Sequence, residues 1–241
     1  MKILNGRNGC MKSRSLKFTL LSVFVFTAFL FPQKGSTPNP DPQRFKKQIN
    51  AFVQWDKKNS YPQQAVLFVG SSSIRLWPTR EAFPRLKVIN RGFGGAEISD
   101  VLYYINETTL KYQPAVIVFY CGDNDIADKK SAERVLNDFR VFVEKVHKKL
   151  PVTKIVFLPI KPSLARWQLW PEMNKANKLI KKYCKQQPFL MYCDTATPML
   201  NKKGKPEENI FIEDGLHMND KGYAIWNKTL SPLLELLVNK K

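Results

Sequence analysis

Three consecutive serines, Ser71, Ser72 and Ser73, follow the apolar run Val66-Leu67-Phe68-Val69 and a single glycine, Gly70. A hydroxyl so placed can attack an acyl carbon if three other things are present. A base must take its proton, a further group must orient that base, and hydrogen-bond donors must receive the charge that builds on the carbonyl oxygen. Three later segments contain such groups in order. Asn90-Arg91-Gly92-Phe93-Gly94-Gly95 ends in a glycine pair, Gly122-Asp123-Asn124-Asp125 contains an asparagine, and Asp214-Gly215-Leu216-His217 sets a carboxylate three residues before an imidazole.

The chain has two histidines. His147 lies among Lys145, Lys148 and Lys149 in a helical pattern and reads as a surface residue. His217 is therefore the base if there is one, and Asp214 on the same turn can hold the ring nitrogen that faces away from the nucleophile. Ile74-Arg75-Leu76-Trp77 suggests a short helix whose amino end lies at the serines, a favourable place for developing negative charge. Each segment alone has an ordinary explanation, because serines cap helices, glycines mark turns and Gly-Asp-Asn-Asp suits a loop. Their order and shared location carry the case.

That location follows from the elements. Short apolar runs at Ala65–Gly70, Lys87–Arg91, Ala115–Cys121, Lys154–Ile160 and Phe189–Asp194 read as buried strands. Helical patterns lie at about 41–57, 97–111, 131–149, 168–186 and 219–238. Strands alternating with helices at this spacing imply a parallel sheet covered on both faces. Such a sheet gathers ligand groups beyond the carboxyl ends of its strands, which is where the serine, glycine and asparagine segments fall.

Taken together, these segments resemble the sequence blocks of the SGNH, or GDSL, hydrolase superfamily over roughly residues 64–230. The Asp-x-x-His block near the carboxyl end is the most specific of them. The resemblance implies a three-layer α/β/α sandwich, flavodoxin-like, with about five parallel strands and neither metal nor diffusible cofactor. It gives Ser72 the nucleophile position, His217 the role of general base and Asp214 that of its partner. The oxyanion donors would be the backbone N–H groups of Ser72 and Gly95 and the side-chain amide of Asn124. Two departures stand out: Ser71 and Ser73 replace the Asp and the Leu or Ile that usually flank the serine, and Ala96 replaces a frequent Asp. The residues alone leave Ser71 and Ser73 as alternative nucleophiles.

The implied activity is hydrolysis of acyl esters, with acetyl or other short-chain esters of a small molecule or carbohydrate first. A lipolytic or thioester hydrolase and a non-catalytic binding domain are the alternatives. Trp167 and Trp170 follow the fourth strand and could stack on a sugar, while Arg166 could meet an anionic group.

At 241 residues the chain can hold one well-buried domain plus an appendage. Residues 1–34 carry six cations and no acid around an uncharged stretch of 14 residues, Phe18–Phe31, the layout of a signal peptide or uncleaved signal anchor. Residues 35–60 read as a Pro-rich linker and an N-terminal helix, and residues 61–241 as the catalytic domain. Export to the periplasm or the cell exterior is expected, either secreted or tethered to the membrane through the leader. The net charge is +19, and +13 remains without the leader. Lysine pairs such as Lys129-Lys130 and Lys202-Lys203 spread along the chain and read as solvated surface. Charge without a recognition motif predicts no nucleic-acid partner. Whether Cys184 and Cys193 pair is open, since a disulfide needs a geometry that spacing does not supply.

Overall fold

In the computed structural model, which describes residues 37–239, five apolar runs form one sheet. The strands are β1 (Val66–Gly70), β2 (Val88–Gly92), β3 (Val116–Tyr120), β4 (Lys154–Phe157) and β5 (Leu190–Tyr192). Their order is β2-β1-β3-β4-β5, and every neighbouring pair is parallel. This is the expected parallel sheet of about five strands.

β1 and β3 are apolar and buried along their length because both faces of the sheet are covered. Alternate residues point to opposite sides, as a strand's two-residue period requires. Leu67, Val69, Ile117, Phe119, Ile155 and Phe157 join the core on one side, and Val66, Phe68, Val116, Val118, Val156 and Leu158 join the core on the other.

The first face is covered by α1 (Lys46–Lys58), α4 (Ile98–Tyr103), α5 (Ile105–Thr108), α6 (Asp123–Ala127), α7 (Ala132–Lys149) and α8 (Trp170–Cys184). The second is covered by α2 (Ser72–Arg75), α3 (Thr79–Ala82) and α9 (Asp220–Asn239), through Ile74, Trp77, Phe83, Trp226, Leu230 and Leu234. Phe119 shows the packing: it is fully buried, with its ring centroid 4.5 Å from Phe142 and 5.3 Å from Phe139. Burial of one such ring contributes about 1.5–3 kcal/mol. The three-layer sandwich is thus present.

Several local expectations need correction. The single helix expected at 97–111 is broken at Tyr104, which leaves helical geometry at ψ 24°, while the Thr108 hydroxyl bonds back to the Tyr104 carbonyl at 2.8 Å. Threonines and an asparagine in that stretch hold a helix poorly, so it continues only as α5 and a short 3₁₀ turn, Leu110–Tyr112. His147 is not a free surface residue, since its ring stacks on Phe189 with centroids 4.0 Å apart and planes 6° apart. Lys130 is buried rather than solvated, because it sits on the buried carboxylates of Glu97 and Asp125. Cys121, Cys184 and Cys193 are free thiols, and burial pushes Cys184 up to about 12 and Cys193 up to about 11.

The leader reading for residues 1–34 lies outside the described residues. Among the described residues, no helix is long and apolar enough to cross a membrane.

Candidate active site

In this strand order the chain reverses its direction of travel between β1 and β3, and ligand groups collect in the crevice beyond the carboxyl ends there. The loops after β1, β2 and β3 carry Ser72, Gly95 and Asn124 respectively.

Gly70 makes the first of these turns possible. It stands at φ +142°, and a Cβ built on it would lie 1.8 Å from the Tyr120 carbonyl oxygen, so the backbones of β1 and β3 meet there only because no side chain intervenes. The chain then turns into α2. Ser71 and Ser73 fall inside, 2% and 3% exposed, while Ser72 is half-buried and open to the cleft. Of the three serines, Ser72 alone bonds to His217, its Oγ lying 2.9 Å from the ring Nε2.

The other ring nitrogen of His217, Nδ1, lies 2.5 Å from Asp214 Oδ2. Asp214 Oδ1 accepts from the backbone N–H groups of Leu216 and His217, each at 2.8 Å. Burial raises the Asp214 carboxyl, but the bond from the His217 ring and those two N–H donors outweigh it and bring the group down to about 2. The carboxylate therefore stays charged through ordinary pH. Cross-links from Ile212 N–H to the His217 carbonyl and from Ala165 N–H to the Gly215 carbonyl hold the segment in place.

Gly95 is exposed at φ +79°, a backbone conformation that glycine adopts freely. Asn124 is the second residue of α6, whose N-cap is Gly122 at φ +119°. The tetrapeptide expected as a loop is thus a turn running directly into a helix. Asn124 is fixed from both ends: its Nδ2 donates to the Ala96 carbonyl at 3.0 Å, and its Oδ1 accepts from Arg166 at 3.1 Å. Arg166 also pairs with Asp123, which Lys161 reaches at 3.2 Å. Burial raises the Asp123 carboxyl, but those two cations prevail and hold it below its usual range. Arg166 is thus occupied by a carboxylate and by Asn124. Trp167 and Trp170 stack on each other, centroids 5.9 Å apart, and neither lines the cleft.

The cleft measures about 560 Å³, and all five predicted site residues except Asp214 line it. Gln48, Gly94, Arg75, Arg166 and Leu216 complete the lining. Gln48, on α1, and Arg75, on α2, were not singled out from the sequence. Arg75 had one legible signal, its position three residues after Ser72 in a short helical pattern.

Beneath the donor loops, Lys130 Nζ sits 2.5 Å from Glu97 and 3.4 Å from Asp125. The Asp125 carboxylate accepts the Ile98 N–H at 3.2 Å, tying the Asn124 segment to the segment after Gly95. Burial pushes Asp125 up to about 7, with Glu97 adding to the effect and Lys130 opposing it. The folded-state value stands above the ordinary 3.8, so between about pH 4 and pH 7 the native state keeps a proton that the unfolded chain has released. Stability gained this way is complete below the unfolded value and is lost as pH rises through the folded one. Thermal midpoints are expected to fall with rising pH across that window, and Asp125→Asn to flatten the slope. An equal slope in the variant would show that Asp125 is not its source.

The model of the GDSL-like lipase/acylhydrolase family matches residues 72–225. The chain belongs to this family. Platelet-activating factor acetylhydrolase IB subunit alpha2 of Homo sapiens is 30% identical over 201 residues, covering 81% of this chain and 84% of the relative. Subunit alpha1 of Pongo abelii is 27% identical over 214 residues, covering 84% and 89%. A GDSL-like lipase from Bacteroides thetaiotaomicron superposes with a TM-score of 0.65 at 19% identity, covering 81% of this chain and 98% of that one. A carbohydrate esterase family 3 protein from Talaromyces cellulolyticus gives 0.58 at 16%, covering 73% and 98%. These two solved structures share its fold, and family membership makes the chain a hydrolase of ester bonds.

Proposed function

We propose that the protein hydrolyses short-chain acyl esters, acetyl esters first, through Ser72, His217 and Asp214. The observation that carries this is the continuous relay from Asp214 through the His217 ring to Ser72 Oγ, opening on a cleft that also holds Gly95 and Asn124. In this mechanism His217 Nε2 takes the Ser72 proton as Oγ bonds to the acyl carbon. The oxyanion is received by the Ser72 and Gly95 N–H groups and Asn124 Nδ2. His217 then protonates the departing alcohol, leaving an acyl group on Ser72. A water, deprotonated by the same nitrogen, attacks that acyl group and releases the acid. Asp214 orients the ring and stabilises its cationic form.

Two observations support a short acyl group. A long chain needs an apolar channel, whereas Leu216 is the one apolar side chain among the cleft-lining residues. The curated relatives are named acetylhydrolases. Outward placement rests on the leader sequence, with five of its six cations preceding an uncharged apolar stretch.

A single panel tests both. Aryl acetate, butyrate and palmitate are offered to the purified protein, and the acetate is also offered to intact and to lysed cells producing the full chain. The acetate should be turned over fastest, with intact cells nearly as active as lysed ones. Preference for palmitate would overturn the short-chain reading, and activity that appears only on lysis would overturn the outward placement.

A further inference from the structure

Beside the proposed oxyanion donors lie polar groups that the hydrolytic mechanism leaves unused. Arg75 stands three residues after Ser72 on α2, so the two side chains leave the helix on the same side. It is exposed and lines the cleft, and among the described residues its guanidinium forms no ion pair or hydrogen bond. Its guanidinium lies against Gly94: a Cβ on that glycine would come within 3.0 Å of Arg75 Nε and 3.4 Å of Nη2. From the other side, Gln48 Oε1 accepts the Gly94 N–H at 3.3 Å. That leaves the Gln48 Nε2 donors without a partner among the described residues.

The two permanently charged side chains that line the cleft, Arg75 and Arg166, are both cationic. Lys161 and Arg166 share the single carboxylate of Asp123, so that buried group carries one net positive charge toward the cleft. Asp214 is held on the far nitrogen of His217 and is not among the cleft-lining residues. A planar, permanently charged fork with unused donors suits a carboxylate or phosphate.

We infer that the substrate is an anionic ester, with a carboxylate or phosphate close to the scissile bond that is read by Arg75 and assisted by Gln48. This rests on the hydrolytic reading of the same site and adds the class of substrate to it. The absence of a side chain at Gly94 leaves room for the guanidinium at the cleft wall, where a Cβ would come within 3.0 Å of it.

The test is a ratio of kcat/KM between charged and neutral partners of equal shape. One pair is 4-acetoxybenzoate and its methyl ester, with the charge on the alcohol half. A second is mono(4-nitrophenyl) succinate and its methyl ester, with the charge on the acyl half. A third arm, 4-acetoxyphenyl phosphate, separates phosphate from carboxylate recognition. The wild-type protein is expected to favour at least one charged ester by about tenfold or more, mainly through KM, the size expected of a charge-assisted hydrogen bond. Arg75→Gln should bring that ratio close to one, and Arg75→Lys should retain part of it. Because the ratio is internal to each variant, a folding defect that slows both esters leaves it unchanged. A wild-type ratio near one for every pair, or a ratio that Arg75→Gln leaves intact, overturns the inference while ester hydrolysis stands. If the wild-type protein turns over none of these esters, the hydrolytic reading itself falls and takes this one with it.

Discussion

Ser72→Ala should lower ester turnover by roughly 10⁵- to 10⁶-fold, the scale on which removal of a nucleophile from a coupled triad is felt. Ser71→Ala and Ser73→Ala should each retain a measurable fraction of activity. The difference follows from placement: Ser72 Oγ meets His217 at 2.9 Å, whereas its two neighbours are buried away from the cleft. An aryl phosphonate or sulfonyl fluoride, followed by peptide mass spectrometry, should leave its adduct on Ser72. An adduct on Ser71 or Ser73 would move the nucleophile and would require α2 to turn about its axis in solution.

The second large effect is the contrast between the base and the oxyanion donor. His217→Ala removes both nucleophile activation and protonation of the leaving group, so its loss should approach that of Ser72→Ala. Asn124→Ala should cost about 10²- to 10³-fold in kcat with little change in KM. The upper end is expected, because Asn124 also braces the Ala96 carbonyl, next to Gly95. Asp214→Asn should fall between the two, since it keeps a hydrogen-bonding partner but loses the charge that favours the imidazolium. The double variant lacking His217 and Asn124 should be far less impaired than the product of the single losses, since the residues act in the same step. A KM effect alone in Asn124→Ala would make that amide a substrate-binding group instead.

Much of this site is legible in the sequence for a physical reason. A strand buried on both faces must be apolar throughout, so the ends of β1 and β3 are marked by the first glycine met along each run, Gly70 and Gly122. The proposed site residues Ser72 and Asn124 each follow by two positions. The Asp214 and His217 pair is legible because both groups lie on one turn, and no other part of the fold is needed to bring them together.

The unread parts depend on distant partners. Nothing near Lys130 in sequence announces that Glu97 will pair with it, and Lys161 is drawn inside by Asp123 from a different loop. Gln48 reaches the cleft because Phe45 and Ile49 anchor α1 on the sheet's first face, with Phe45 edge-on to Phe93 at 5.1 Å. The break at Tyr104 shows the opposite failure, in which a plausible helical pattern gives way to a threonine hydroxyl competing for a backbone carbonyl.

The segment bearing Asp214 and His217 has a consequence for how such a site can fail or be adjusted. Its acid and base are joined by the ring contact and by two backbone donors within four residues, so neither can drift without carrying the other. The five-part arrangement then has one loose dimension, the gap between this unit and the rim of the sheet, spanned by the bond from His217 to Ser72. The backbone bonds from Ile212 to His217 and from Ala165 to Gly215 anchor the segment, so changes that disturb them are expected to act on that distance.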